Sequence, residues 1–173
     1  NQAATFLWAI AEKELANVDR LTFCYNREYF TSRLKQEVER AMRYQLDFGL
    51  SIFEISNLKG IDDLLGQKRS EQVLKTIVKL IKTNIRRTDI LGRFADGRFI
   101  ILFPQTRLED ASRKAELLRK IISGYNFALK KEEQLNINMA VTNFNSLPNK
   151  KLDSEVLKEL LVATVEDRLR NAH

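Results

Sequence analysis

Two short charged segments contain residue types that could bind a ligand or a metal ion. In Arg86-Arg-Thr-Asp89, an arginine that can donate two parallel hydrogen bonds to a phosphate or a base edge precedes a carboxylate that can accept N–H donors. In Asp96-Gly97-Arg98, a carboxylate and an arginine flank a glycine. Carboxylates can hold divalent cations, whereas an arginine at the same place adds a fixed positive charge that repels them.

The dipeptide Asp96-Gly97 is predicted to join two strands, at about residues 89–95 and 98–103. Asp-Gly is the strongest short hairpin signal, because a tight primed turn needs positive φ at both central residues. A further buried strand is predicted at residues 49–56, upstream of this hairpin.

Helices are predicted around these strands, because apolar residues recur there at every third or fourth position. The remaining predicted elements are helices at 26–47, 69–87, 107–123 and 153–172, a short helix from 57, and a strand at 135–142. From the first strand to the last, the order is β-α-α-β-β-α-β.

Composition indicates one soluble globular domain with a substantial core. The chain has 173 residues, of which 44% are hydrophobic and 30% charged. It has neither an apolar run of about 20 residues nor a signal-peptide pattern, so we expect a cytoplasmic protein without membrane insertion. The single cysteine, Cys24, excludes an internal disulfide and is expected to be buried. The lack of a start methionine suggests a piece of a longer protein.

The net charge of +6 raises the question of nucleic-acid binding. One stripe of a predicted helix carries four cations, Lys75, Lys79, Lys82 and Arg86. No aromatic residues interleave with them, which disfavours a surface that stacks single-stranded bases. We therefore expect a solvated face and no nucleic-acid partner.

Several motifs resemble those of one family along almost the whole chain. They are Asp19-Arg-Leu-Thr22 with Tyr25-Asn-Arg27, Gly66 with Glu71, the hairpin segment 93–99, and Ala115-Glu116 with Arg119. This set resembles the GGDEF family, the diguanylate cyclases, which condense two GTP molecules into cyclic di-GMP.

The resemblance implies an α/β, palm-like nucleotidyl-cyclase fold, with a central, mostly antiparallel five-stranded sheet flanked by helices. It places the GGDEF domain at residues 19–173, after a helical, coiled-coil-like linker at residues 1–18. Five linker residues are spaced by four and three, as in a heptad seam: Ala4, Trp8, Ala11, Leu15 and Val18. The alternative is that this helix packs on the domain itself.

Departures from the family pattern lead us to expect a degenerate domain that is not an enzyme. In the family, carboxylates hold two divalent cations, usually Mg²⁺, for the attack of a 3′-hydroxyl on an α-phosphate. The corresponding positions here are Glu54, Gly97 and Arg98. We therefore expect no catalytic residues, no bound metal and no cofactor.

The resemblance also implies two nucleotide sites. Lys59, Asp62 and Glu71 stand at GTP-contacting positions and form a possible vestigial nucleotide site. Arg86 and Asp89 match the family's R-x-x-D motif for cyclic di-GMP, with Arg119 as a helper. We expect a cyclic di-GMP receptor in a larger bacterial signalling protein, linked to an upstream sensor or a neighbouring effector domain, and possibly homodimeric. The alternatives are a dimerisation or regulatory module that binds no nucleotide, and a domain with residual GTP binding.

Overall fold

The structure is a computed structural model that describes residues 1–172. His173, the last residue of the predicted domain, lies outside the described residues. Within residues 1–172 the chain forms six α-helices and four β-strands. The helices are α1 Gln2–Ala16, α2 Arg27–Tyr44, α3 Leu58–Leu65, α4 Gln67–Asn84, α5 Leu108–Gly124 and α6 Ser154–Arg170. The strands are β1 Gly49–Ile55, β2 Ile90–Ala95, β3 Arg98–Phe103 and β4 Ile137–Asn143.

The strands form one antiparallel sheet in the order β2-β3-β1-β4. Alternate strand residues point to opposite faces of a sheet, and here both faces are covered by helices. One apolar cluster joins the sheet to α2 and α6, and the other joins it to α4 and α5. This two-sided burial explains why the strands read as nearly continuous apolar runs.

The α/β fold with an antiparallel sheet is confirmed, but the described residues contain four strands rather than the expected five. At the outer edge of β2, the segment after α1 contributes only Tyr25, whose N–H donates to Leu91 O and whose carbonyl accepts from Arg93 N. Asn26 follows immediately and caps α2 by accepting from the Tyr29 N–H. The chain therefore enters a helix before a strand can extend.

The predicted β2–β3 hairpin is confirmed, whereas the prediction that its turn is of a primed type is wrong. Gly97 has φ +68°, but Asp96 does not have positive φ. A register shift between Arg93 and Ala95 forms a bulge, which changes the local twist that the turn must match. The Gly97 carbonyl accepts a 2.8 Å hydrogen bond from Ile55 N, so the turn packs against the end of β1.

Helix α1 extends away from the two apolar clusters. None of its residues is buried, and the exposed ones include the large apolar side chains of Phe6, Leu7, Trp8 and Leu15. Among residues 1–172, no helix combines the length and apolar character needed to cross a membrane.

We expect Trp8→Ala to change the free energy of unfolding by less than about 0.5 kcal/mol, because the Trp8 side chain is 66% exposed. The matched control is Phe30→Ala, which removes a fully buried ring and should cost about 3–5 kcal/mol. Denaturant unfolding at low protein concentration measures both. A comparable loss for Trp8→Ala would show that α1 packs on the domain.

Candidate functional site

Two neighbouring clefts contain most of the predicted site residues. The first cleft, of about 740 Å³, lies between the end of β1, α3 and the start of α4. Its polar lining includes Glu54, Lys59, Asp62, Ser70, Glu71 and Arg93. The second cleft, of about 530 Å³, lies between the end of α1, the turn at residues 17–25 and the end of α4. Its lining includes Phe23, Tyr29, Lys82, Arg86, Arg87 and Asp89.

Glu54, which lines the first cleft, forms an ion pair with Arg98 on the adjacent strand. Glu54 on β1 and Arg98 on β3 are register partners, so their side chains leave the sheet side by side. Arg98 Nη2 lies 2.5 Å and Arg98 Nε 3.2 Å from the same oxygen, Glu54 Oε1. Arg98 Nη1 also lies 3.8 Å from Glu166 Oε1 on α6. One guanidinium therefore bridges carboxylates of the sheet and of the last helix.

These residues do not fit the two divalent cations implied by the resemblance. Glu54 holds a guanidinium, Gly97 offers no side chain, and the Asp96 side chain is 99% exposed and pairs with Arg93. No group of three or more His, Cys, Asp or Glu residues that could hold a metal ion occurs in the described part of the chain. Repulsion between a cation and a guanidinium about 4 Å away is roughly 4 kcal/mol per unit charge at an effective dielectric near 20.

The three residues predicted to contact GTP, Lys59, Asp62 and Glu71, all line the first cleft. Asp62 Oδ1 accepts a 2.7 Å hydrogen bond from the Ser70 hydroxyl, which fixes its carboxylate on α3 against α4. Glu71 Oε1 accepts a 2.9 Å bond from Gln67 Nε2. Each carboxylate keeps a second oxygen that can accept N–H donors.

Arg86 and Asp89 form a closed turn between α4 and β2. The Arg86 N–H donates to Asp89 Oδ2 at 2.8 Å, and the Asp89 N–H donates to the Arg86 carbonyl at 3.0 Å. The Asp89 side chain is 1% exposed, and Lys114 Nζ lies 3.9 Å from its Oδ2. Its other oxygen, Oδ1, accepts no hydrogen bond from any of residues 1–172. Asp89 therefore lines the second cleft, and also a cleft beside Lys114, with a carboxylate that is almost entirely buried.

Arg119, the predicted helper, lies apart from this turn. It lines another cleft, together with Ser56 and Asn138. Its guanidinium donates two hydrogen bonds, of 2.7 and 2.9 Å, to Glu116 one helical turn earlier. These bonds hold the pKa of Glu116 below its usual value. Within the described residues Arg119 is therefore not brought to the Arg86–Asp89 turn.

Arg93 joins the two clefts through an ion pair that sequence reasoning did not identify. Its guanidinium lies 3.0 Å from Asp19 Oδ2 and 3.3 Å from Asp96 Oδ1. Asp19 also accepts hydrogen bonds from the Thr22 hydroxyl and the Thr22 N–H. Burial acts to raise the Asp19 pKa, but the bonds from Thr22 and Arg93 outweigh it and lower the pKa. The signal was the Asp-x-x-Thr spacing, which is typical of a carboxylate that closes a turn.

Comparison with known proteins identifies similar sequences and folds. The family described as "Diguanylate cyclase, GGDEF domain" matches residues 16–160. The chain is 32% identical to the response regulator PleD of Caulobacter vibrioides over 129 residues, covering 74% of this chain and 28% of PleD. It is 34% identical to the diguanylate cyclase DgcP of Pseudomonas aeruginosa over 121 residues, covering 70% of this chain and 18% of DgcP. The chain thus spans less than a third of either relative.

One similar solved structure is the coiled coil and GGDEF domain of DgcB from Caulobacter crescentus in complex with c-di-GMP. It superposes with a TM-score of 0.79, covering 99% of this chain and 93% of that one. At 17% identity, this likeness supports the fold alone.

These comparisons contradict the expectation that the chain is not an enzyme, which is therefore wrong. Two relatives that are about one third identical to this chain are named a diguanylate cyclase and a probable diguanylate cyclase. The expectation depended on three positions, Glu54, Gly97 and Arg98, and the similarity extends over most of the chain.

We expect the Asp19–Arg93 pair to make stability depend on pH. Because the folded-state pKa of Asp19 is lowered, its contribution is complete above the usual aspartate pKa and disappears as pH falls through the lowered value. At pH 7, Asp19→Asn should cost about 1.5–3 kcal/mol of unfolding free energy, and this loss should shrink in acid. Urea unfolding from pH 7 to pH 2 measures it. Asp63→Asn, at an exposed site on α3, is the control, and an equal loss at every pH would contradict the prediction.

Proposed function

The chain belongs to the GGDEF family, and on that premise we propose that it binds cyclic di-GMP in the second cleft, as a receptor domain of a larger signalling protein. The observation that carries this proposal is the closed Arg86–Asp89 turn, which brings Asp89 and the exposed Arg86 side chain into the wall of one cleft. A guanine base carries N–H groups that can donate to a carboxylate such as that of Asp89.

The charges of the second cleft suit a ligand with phosphates. Neither the Arg86 nor the Arg87 side chain forms an ion pair with a carboxylate of residues 1–172, and both are exposed. Lys82 adds a third cation to the same wall. An arginine fork can donate two parallel hydrogen bonds to a phosphate or to the Hoogsteen edge of guanine. Cyclic di-GMP contains both groups twice.

The same proposal includes the partner domains of this chain and its location in the cell. Helix α1 is an exposed linker to an upstream sensor domain or to a second copy of the chain, and the domain acts in the cytoplasm of a bacterium. Its support is the set of exposed apolar residues on α1, which includes Trp8 and Leu15 of the heptad seam. The solved DgcB fragment, which contains a coiled coil with its GGDEF domain and c-di-GMP, has a similar fold.

A second candidate function is guanine-nucleotide binding in the first cleft, the first step of the reaction for which the relatives are named. Asp62 and Glu71 line this cleft with Lys59, which supplies one cation for a phosphate. Carboxylates can accept the N1–H and N2–H₂ donors of guanine, whereas adenine has no hydrogen on N1.

We expect Arg86→Ala to weaken cyclic di-GMP binding about tenfold to a hundredfold, because a hydrogen bond to a charged group contributes about 1.5–3 kcal/mol. Calorimetric titration of the chain measures the affinity. Lys75→Ala is the control, since it removes one positive charge from α4 without lining the second cleft. Equal affinities of the parent and Arg86→Ala would place the ligand elsewhere, and a parent that binds nothing would favour an interaction module.

We expect the chain to bind GTP more tightly than ATP, and Asp62→Ala with Glu71→Ala to abolish that preference. The reason is that the two substitutions remove the carboxylate oxygens that accept hydrogen bonds from the guanine N–H groups. Competition between the two nucleotides for a fluorescent GTP analogue measures the preference. Asp63→Ala is the control, because Asp63 neighbours Asp62 on α3 but does not line the cleft. Equal competition by GTP and ATP in the parent would contradict this prediction.

A further inference from the structure

Phe23 combines a disfavoured backbone conformation with an exposed aromatic side chain. Its φ is +58°, in the left-handed region that bulky side chains rarely adopt, and the residue is 61% exposed. An exposed phenylalanine alone would need no explanation, because single apolar residues are common on protein surfaces. An exposed phenylalanine with a strained backbone does need an explanation. Such strain persists only where the surrounding structure enforces it, and it is concentrated at ligand sites.

Hydrogen bonds on both sides of Phe23 fix this conformation. Its N–H donates to the Asp19 carbonyl at 2.8 Å, and its carbonyl accepts from Lys82 Nζ at 3.0 Å. The next residue, Cys24, is buried, and its Sγ shares a 3.0 Å hydrogen bond with the Thr22 hydroxyl. The backbone on either side is therefore anchored, and the Phe23 ring remains at the surface.

The Phe23 ring lies in the wall of the second cleft, among cations and other rings. Lys82, which holds the Phe23 carbonyl, lies in the last turn of α4, and Arg86 follows the end of that helix. Tyr25 and Tyr29 also line the cleft, with ring centroids 4.4 Å apart. Exposed aromatic rings beside cations are the arrangement that proteins use to stack a nucleobase while its phosphate is neutralised.

We infer that Phe23 stacks on a purine base of the anionic nucleotide that occupies the second cleft, and so favours ligands that carry a base over phosphate alone. This inference rests on the proposed cyclic di-GMP site and adds a residue outside the Arg86–Asp89 turn. Stacking supplies affinity that does not depend on charge, whereas Arg86 supplies affinity that falls with salt.

The test replaces Phe23 by glycine, which accepts positive φ without strain. We expect Phe23→Gly to bind cyclic di-GMP about tenfold or more weakly, while its melting temperature is unchanged or higher. Phe23→Trp should keep the affinity of the parent, and Phe23→Leu should lose it, because leucine is apolar but cannot stack. In a Trp8→Phe background, the fluorescence of the new tryptophan should change when cyclic di-GMP is added.

Inorganic pyrophosphate separates base stacking from phosphate binding. Its affinity should fall in Arg86→Ala and stay constant in Phe23→Gly. If Phe23→Gly or Phe23→Leu binds cyclic di-GMP as the parent does while Arg86→Ala does not, the stacking role is overturned and the proposed function stands. If the melting temperature of Phe23→Gly falls by several degrees, the ring is structural and the inference is wrong. If the parent binds no cyclic di-GMP, both proposals fail.

Discussion

The ion pair between Arg93 and Asp19 is the interaction on which both clefts depend. Arg93 belongs to β2, and its guanidinium reaches the turn at residues 17–25 and the hairpin residue Asp96. It is 11% exposed, so water screens the pair less than a surface ion pair. The turn that it anchors supplies Leu21 to the first cleft and Phe23 to the second. The Arg93 side chain therefore joins the N-terminal turn, the sheet edge and the hairpin, beside the backbone bonds of Tyr25 to β2.

The distribution of paired and unpaired cations distinguishes the two clefts. At the first cleft, Arg93 is paired with Asp19 and Asp96, and Glu54 in its wall is paired with Arg98. The cations of the second cleft, Lys82, Arg86 and Arg87, form no ion pair within the described residues. Three cations without an ion-pair partner among residues 1–172 thus lie together at the second cleft. An anionic ligand is attracted to such a surface from a distance, and this attraction weakens with ionic strength.

Local sequence patterns predicted the helices and strands well, but they did not predict the contacts between distant segments of the chain. The predicted helix at 26–47 is Arg27–Tyr44, the strand at 49–56 is Gly49–Ile55, and Cys24 is buried as expected. These features follow from apolar spacing and local caps. The bond between Lys82 and Phe23 joins residues 59 positions apart and has no local signature. The basic stripe lacked aromatic residues in sequence, and the fold supplies one from the N-terminal turn. The expected fifth strand has no counterpart among residues 1–172.

The same turn connects the second cleft to the N-terminal helix. Glu14 and Asn17, at the end of α1, line this cleft together with Arg86 and Arg87. The Asn17 carbonyl accepts a 2.9 Å hydrogen bond from Asn26 N, which joins the end of α1 to the cap of α2. A ligand that contacts α1 in one orientation and not in another shifts the balance between them by its difference in affinity. Linkage is reciprocal, so a force that reorients α1 changes ligand affinity by the same factor. Under the proposed function, binding at this junction of helix and domain is therefore coupled to the orientation of α1.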